Sequence, residues 1–195
     1  MKTGIIFDLD GTLWDATQNI TDSWNKVLKQ EGYSVVLTKN KVIKEMGKLM
    51  EDIADSLFGM VEVPERYRLL QKCLDDENAY LAEHGGILYD GVEDVLKKLN
   101  EKYQVIMVSN GQLDYIKTFI GFFKYEKYIS DYEEAGRTGK TKAKNIKLVI
   151  ERNHLDKAVY VGDTLGDMKS ADEAGIPFIL SLIHISEPTR RSYIS

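Results

Sequence analysis

The stretch Gly4-Ile5-Ile6-Phe7-Asp8-Leu9-Asp10-Gly11-Thr12 decides the fold. A short apolar run that ends abruptly in an acid is the profile of a strand buried on both faces of a parallel sheet. Asp8 and Asp10 are two residues apart, so extended geometry points both carboxylates the same way. Like charges so placed are unfavourable unless a cation or a shared proton compensates them. A hard divalent cation held by carboxylate oxygens fits the pair, and Mg²⁺ usually keeps positions open for water and phosphate. Gly11 permits a sharp turn, and Thr12 sets a hydroxyl beside it. Taken alone, the same residues also read as an ordinary strand-to-loop turn with solvated acids.

Similar apolar runs recur along the chain. Val105-Ile106-Met107-Val108 precedes Ser109, Ala158-Val159-Tyr160-Val161 precedes Gly162, and Pro177-Phe178-Ile179-Leu180 follows Gly175. Ile129 marks a weaker candidate for a further strand. Helical periodicity lies between the runs, with Val92, Val95, Leu96 and Leu99 on one face and Ile146, Val149 and Ile150 on another. This alternation predicts an α/β fold with a doubly wound, Rossmann-like parallel sheet.

The gap between the first two strands is too long for one crossover. It carries apolar stripes at helical spacing: Ile20, Trp24, Val27 and Leu28; Val42, Ile43 and Met46; Ile53 and Leu57; Tyr67, Leu70, Leu74 and Leu81. The reading is a core of residues 1–15 and 86–179 with an inserted α-helical cap at 16–85. The boundaries fall near Asp15 and at His84-Gly85-Gly86, where paired glycines suit a hinge.

Composition removes whole classes of function. The 195 residues carry 31 acidic and 26 basic side chains, so no basic footprint for nucleic acid is expected. No run approaches the roughly 20 apolar residues of a membrane span. Asp8 and Asp10 interrupt the only apolar run near the N-terminus, which does not read as a signal peptide. The single cysteine excludes an internal disulfide, and a cytoplasmic location is expected. The 3 histidines show no zinc-ligand spacing.

Three further segments carry chemistry. Val161-Gly162-Asp163-Thr164-Leu165-Gly166-Asp167 supplies two more acids at a strand end. Carboxylates at the C-terminal ends of adjacent parallel strands converge in the crevice where such sheets bind ligands. Either acid alone could equally cap the following helix. Ser109-Asn110-Gly111 offers small polar groups and backbone N–H groups suited to phosphate, or a simple turn. Gly136-Arg137-Thr138-Gly139-Lys140-Thr141-Lys142-Ala143-Lys144 opens the helix that carries Ile146. One of its lysines could neutralise charge on a phosphate, while most must be solvated.

In order and at strand ends, these four motifs resemble those of the haloacid dehalogenase superfamily of phosphatases. The resemblance extends over residues 1–179 and is nearest to phosphoglycolate-phosphatase-like members, which share Val161-Gly162-Asp163-Thr164 and Ala174-Gly175-Ile176-Pro177. It implies that Asp8 is a nucleophile forming an aspartyl-phosphate, and Asp10 a general acid and base. Mg²⁺ would be held by the Asp8 carboxylate, the Asp10 carbonyl and Asp163, with Asp167 orienting them. Thr12, Ser109, Asn110 and Gly111 would bind phosphate together with the motif-three lysine. The lysine-proline signature usual in that motif is missing, which leaves Lys140 and Lys142 as alternatives, with Lys142 favoured. Dehalogenases of the superfamily lack the second acid, so Asp10 favours phosphate-ester hydrolysis. A sugar phosphomutase and a non-catalytic phosphate-binding protein are the alternatives.

The implied partner is a small-molecule phosphate ester, with phosphoglycolate as the default. Lys48, in Met46-Gly47-Lys48, is the candidate cap residue for a substrate carboxylate or second phosphate; a solvated lysine is the plainer reading. Leu180 to Arg190 resembles a translated transposase adapter of sequencing libraries. Residues 180–195 are therefore expected to be a non-native tail, and His184 and Arg190 are assigned no function.

Overall fold

The computed structural model describes residues 1–46, 48 and 50–181. The chain opens with β1 (Thr3–Phe7) and β2 (Trp14–Asp15), followed by α1 (Thr17–Gln30), α2 (Lys39–Ile43), α3 (Met50–Leu57) and α4 (Val63–His84). It continues through β3 (Ile87–Leu88), α5 (Val92–Asn100), β4 (Gln104–Ser109), α6 (Tyr115–Phe123) and β5 (Asp131–Glu134). The last elements are α7 (Ala135–Thr138), α8 (Lys142–Arg152), β6 (Lys157–Gly162), α9 (Leu165–Ala174) and β7 (Phe178–Leu180).

Five strands form one parallel sheet in the order β5-β4-β1-β6-β7. The period of two along β1 and β4 divides their side chains between two buried layers. Ile6, Ile106 and Val108 pack with Tyr160 against Ile146 and Val149 of α8 and Ala171 of α9. Phe7, Val105 and Met107 join Leu96 of α5 with Ile116 and Phe119 of α6. Each such side chain contributes about 1.5–3 kcal/mol on full burial. The sheet is thus covered on both faces, and the ends of β1, β4 and β6 lie side by side.

Helices α1 and α4 pack on each other through Ile20, Trp24, Val27, Leu28, Leu70 and Leu74, and Val42 of α2 and Ile53 and Leu57 of α3 join the same buried cluster. Asp15 Oδ1 accepts the Thr17 N–H at 2.9 Å at the start of α1. Helix α4 ends at Gly85, whose φ of 67° and closeness to the Phe122 ring exclude a side chain. The two passages between sheet and helices are tied together, since β2 and β3 pair antiparallel with Trp14 opposite Leu88. Asn19 Nδ2 also donates to the Gly85 carbonyl at 2.8 Å. Among the described residues, no helix is long and apolar enough to cross a membrane.

Several details differ from the sequence reading. The edge strand begins at Asp131, two residues past Ile129, and no apolar run marks it because three of its four residues are acids. Arg152 pairs with Asp131 and Glu133, and Glu134 accepts the N–H groups of Asp114 and Ile116, so charge replaces apolar burial there. Ile43, Tyr67 and Val95 sit on the shoulders of their stripes and are exposed. Leu180 belongs to β7, and the Ser181 N–H donates to the Gly162 carbonyl at 2.7 Å. These are backbone pairings that ask little of side-chain identity. The remainder of the expected tail lies outside the described residues.

Candidate active site

Asp8 follows β1 directly, and its N–H donates to the Val161 carbonyl at 2.8 Å, so the ladder runs one residue beyond the strand. The buried Leu9 then anchors a tight loop. Its carbonyl accepts the N–H groups of Thr12 at 3.2 Å and Leu13 at 2.9 Å, while the Gly11 N–H donates to the Trp14 carbonyl at 3.0 Å. Gly11 has φ 78°, and a Cβ there would lie 2.3 Å from Asp163 Oδ2. Glycine is therefore required both by the turn and by the close approach of β6's end. Thr12 is buried, with its hydroxyl donating to Asp163 Oδ1 at 3.4 Å.

At the end of β6, Thr164 caps α9. Its Oγ1 accepts the Asp167 N–H at 3.1 Å, and Asp167 Oδ2 accepts the Thr164 N–H at 3.0 Å and hydroxyl at 2.7 Å. Asp167 is thus a capping residue, and its other oxygen accepts Lys142 Nζ at 2.6 Å. Thr141 caps α8 by accepting the Lys144 N–H, which sets Lys142 at the first helical position. Lys142 is buried, and its Nζ lies 2.8 Å from Asp8 Oδ1. Lys140 is exposed on the preceding loop. Of the two lysines left open by the sequence, Lys142 reaches Asp8.

Burial dominates the electrostatics. It pushes the Asp8 carboxyl up to about 8, with the neighbouring Asp167 and Asp10 adding to the effect and Lys142 opposing it. Burial also works against the Lys142 charge, but Asp8 and Asp167 outweigh it and hold the ammonium well above its usual range. Asp167 is held below its ordinary value because Lys142 and Thr164 overcome its burial. Asp10 is pushed up to about 6 by burial, although Tyr115 Oη donates to its Oδ1 at 2.6 Å and Trp14 Nε1 at 3.0 Å. Asp8, Asp163 and Asp167 each offer a carboxylate oxygen, all within 4.8 Å of one another. An all-oxygen, acid-rich set with excess negative charge fits a hard dication. The Asp10 side chain stands apart, engaged with the two aromatics.

Ser109, Asn110 and Gly111 line a cavity of about 40 Å³ together with Asp8 and Asp10, and Ser109 Oγ accepts the Gly111 N–H at 3.0 Å. Lys48 also lines this cavity, with its ammonium paired to Glu45 Oε2 at 2.8 Å. A larger space of about 360 Å³ also borders these two carboxylates, bounded by Thr17, Tyr89 and Asp163. Sequence reasoning did not single out Trp14, Tyr115, Tyr160, Glu77 or Gln112. Tyr160 Oη donates to the Val108 carbonyl at 2.9 Å and lies 3.5 Å from Asp8 Oδ1. Glu77 is a buried carboxyl on α4, pushed up to about 8 by that burial, and it lines the smaller cavity. Its signal was available, because position 77 falls on the stripe of Leu70, Leu74 and Leu81.

A doubly wound parallel sheet with convergent carboxylates around one buried lysine at its strand ends defines an α/β enzyme of phosphoryl or acyl chemistry. The sequence profile of the haloacid dehalogenase-like hydrolases matches residues 5–181. The chain belongs to that family of hydrolases. It is 26% identical over 196 residues to a phosphoglycolate phosphatase of Rhodobacter capsulatus, covering 92% of this chain and 84% of that protein. In fold it resembles a haloacid dehalogenase-like family hydrolase of Streptococcus pneumoniae, with TM-score 0.74 and 22% identity over 92% of this chain and 84% of that one. It also resembles CbbY of Rhodobacter sphaeroides, crystallised in complex with phosphate, with TM-score 0.76 and 17% identity over 92% and 86% of the two chains.

Proposed function

We propose that the protein hydrolyses small phosphate monoesters with Mg²⁺ through a phosphorylated Asp8. The observation that carries this reading is the contact of Lys142 with Asp8 beside the trio of carboxylates formed with Asp163 and Asp167. Those three side chains, with the Asp10 carbonyl, would hold the ion. When bound, Mg²⁺ keeps the carboxylates ionised and offsets charge on the transferring oxygens.

An Asp8 oxygen attacks phosphorus as the bond to the leaving oxygen breaks, and Asp10 gives that oxygen a proton. Asp10 then takes a proton from water, which attacks the phosphorylated Asp8, releasing phosphate and restoring the carboxylate. Trp14 and Tyr115 hold the Asp10 carboxyl in place for both transfers. Ser109, Asn110, Gly111 and Lys142 grip the phosphoryl oxygens, and Thr12 acts one step removed by fixing Asp163. Residues 16–85 form the cap that closes over the leaving group, and Lys48 is its candidate substrate contact. Phosphoglycolate is the default substrate, by likeness to the phosphatases of that name.

The test is phosphate release from p-nitrophenyl phosphate and acetyl phosphate. Activity should require Mg²⁺, be lost with EDTA and return with added Mg²⁺. Turnover indifferent to chelation would leave the acids with a structural role only.

A further inference from the structure

Tyr160 is a fully buried phenol that the mechanism above does not use. It stands on β6 opposite Ile6 of β1, in the layer it shares with Ile106 and Val108 of β4 and with Ile146 and Val149 of α8. An aliphatic side chain would fill that layer without needing a polar partner. The tyrosine instead carries its hydroxyl across β1 to the Val108 carbonyl on β4, at 2.9 Å. Its Oη thereby lies 3.5 Å from Asp8 Oδ1. The Lys142 ammonium, which holds the same Asp8 oxygen at 2.8 Å, is 5.9 Å from the centre of the Tyr160 ring. With no exposed surface, Tyr160 approaches Asp8 from the sheet and not through the substrate.

A phenol has one proton, which the rotating hydroxyl can turn to either acceptor. In the resting enzyme it belongs to Val108, because 3.5 Å to Asp8 is beyond the ordinary O–H···O range of about 2.5–3.0 Å. A turn of the hydroxyl and an approach of about half an ångström bring it to the carboxylate.

The two halves of the reaction make opposite demands on that carboxylate. When Asp8 attacks phosphorus it loses charge, so a donor to it stabilises the reactant at least as much as the transition state. When water attacks phosphorus, the bond from phosphorus to Asp8 breaks, its electron pair returns to the carboxylate, and Asp10 takes the proton of the water. Resonance spreads the returning charge over both oxygens, so a donor at Oδ1 helps whichever oxygen carried phosphorus. An interaction accelerates only the step in which it is stronger in the transition state than in the reactant.

We propose that Tyr160 is a positioning residue for the second half of the reaction: its hydroxyl turns from the Val108 carbonyl to the departing Asp8 carboxylate and speeds dephosphorylation, not phosphorylation. The inference rests on the hydrolase reading above. Lys142 differs, since its ammonium also grips phosphoryl oxygens and serves both steps.

The experiment compares wild type with Tyr160→Phe, which keeps the ring and removes the hydroxyl, using radiolabelled acetyl phosphate, Mg²⁺ and acid quenching. Chased with unlabelled acetyl phosphate, the phosphoenzyme of the variant should decay about tenfold more slowly, less than the roughly 10²–10³ lost with a dedicated oxyanion donor, because Val108 competes for the proton. Its formation should stay within about twofold of wild type. The fraction of enzyme carrying phosphate at steady state should therefore rise. A merely structural role would slow both steps together and leave that fraction unchanged. That result, or an unchanged decay, would overturn the proposal and leave the hydrolase reading standing. If Tyr160→Phe does not fold, 3-fluorotyrosine at position 160 supplies a stronger donor of nearly the same shape. It should hasten decay without hastening formation, and decay at the wild-type rate would count against the proposal. Absence of any phosphoenzyme in the wild type would overturn the reading of Asp8 as the phosphate carrier, and the proposal with it.

Discussion

Replacing Lys142 with methionine keeps the length of the side chain and removes its ammonium. In the folded protein that ammonium holds Asp8 Oδ1 at 2.8 Å and Asp167 Oδ1 at 2.6 Å, with all three side chains buried. Removing one partner of a buried ion pair costs about 3–5 kcal/mol, because the remaining charge is left without compensation. Relief comes from Asp8, which burial already pushes up to about 8 and which can take a proton. The lower end of the range, about 3 kcal/mol, therefore applies, equivalent to roughly 6–12 °C in Tm for a chain of this size. The melt should be run in EDTA, so that bound metal does not mask the loss. Phosphatase activity should fall by at least about 10²–10³, the typical cost of one donor to a developing oxyanion. Lys140→Met serves as the comparison and should stay within about 0.5 kcal/mol with near-normal activity, because the side chain it replaces is exposed. A larger loss of activity in Lys140→Met, or an unchanged Tm in Lys142→Met, would refute the assignment of the buried cation.

Asp10→Asn should slow phosphorylation of the enzyme by an alkyl phosphate by about 10²–10⁴, and by acetyl phosphate much less, since that leaving group needs no proton. Rapid-quench measurement of the phosphoenzyme distinguishes the two, and equal slowing counts against Asp10 as the acid. Glu77 titrates at about 8 in the fold against 4.5 ordinarily, so between those values the folded state keeps a proton that the unfolded chain has released. Stability from this group is present below the lower value and lost as pH rises through the window. The Tm of the wild type should fall from pH 5 to pH 8 more steeply than that of Glu77→Gln, and parallel curves would show that this acid is not the source. Gly11→Ala strains a residue at φ 78° and sets a methyl group against Asp163. It should cost about 1–2 kcal/mol and raise the Mg²⁺ concentration needed for half-maximal activity. An unchanged metal titration would detach that loop from the metal site.

Much of the fold was legible because buried parallel strands announce themselves as apolar runs that end in chemistry. Phe7-Asp8, Val108-Ser109 and Val161-Gly162 each mark a strand end beside the candidate site. The edge strand Asp131–Glu134 was not legible, since arginines and backbone N–H groups satisfy its acids and it needs little apolar character. The choice between Lys140 and Lys142 turns on a cap. Thr141 starts α8 and aims the first helical residue inward, a local signal that carries no information about distance to Asp8. The aromatics around Asp10 were invisible for a different reason. Trp14 and Tyr115 bury their rings in the core, as their types lead one to expect, and only the polar tip of each reaches the carboxylate. Glu77 was the one missed residue with a signal of its own, an acid standing where the helical period called for an aliphatic.

The central claim is that phosphate passes through Asp8. Enzyme mixed with radiolabelled acetyl phosphate and Mg²⁺, quenched in acid within the first turnovers and digested for mass spectrometry, tests this directly. The account predicts a phosphate that survives acid, is released by hydroxylamine and maps to the peptide carrying Asp8, with none in Asp8→Asn. Label on another residue, or full turnover with no phosphate ever carried by Asp8, would contradict it.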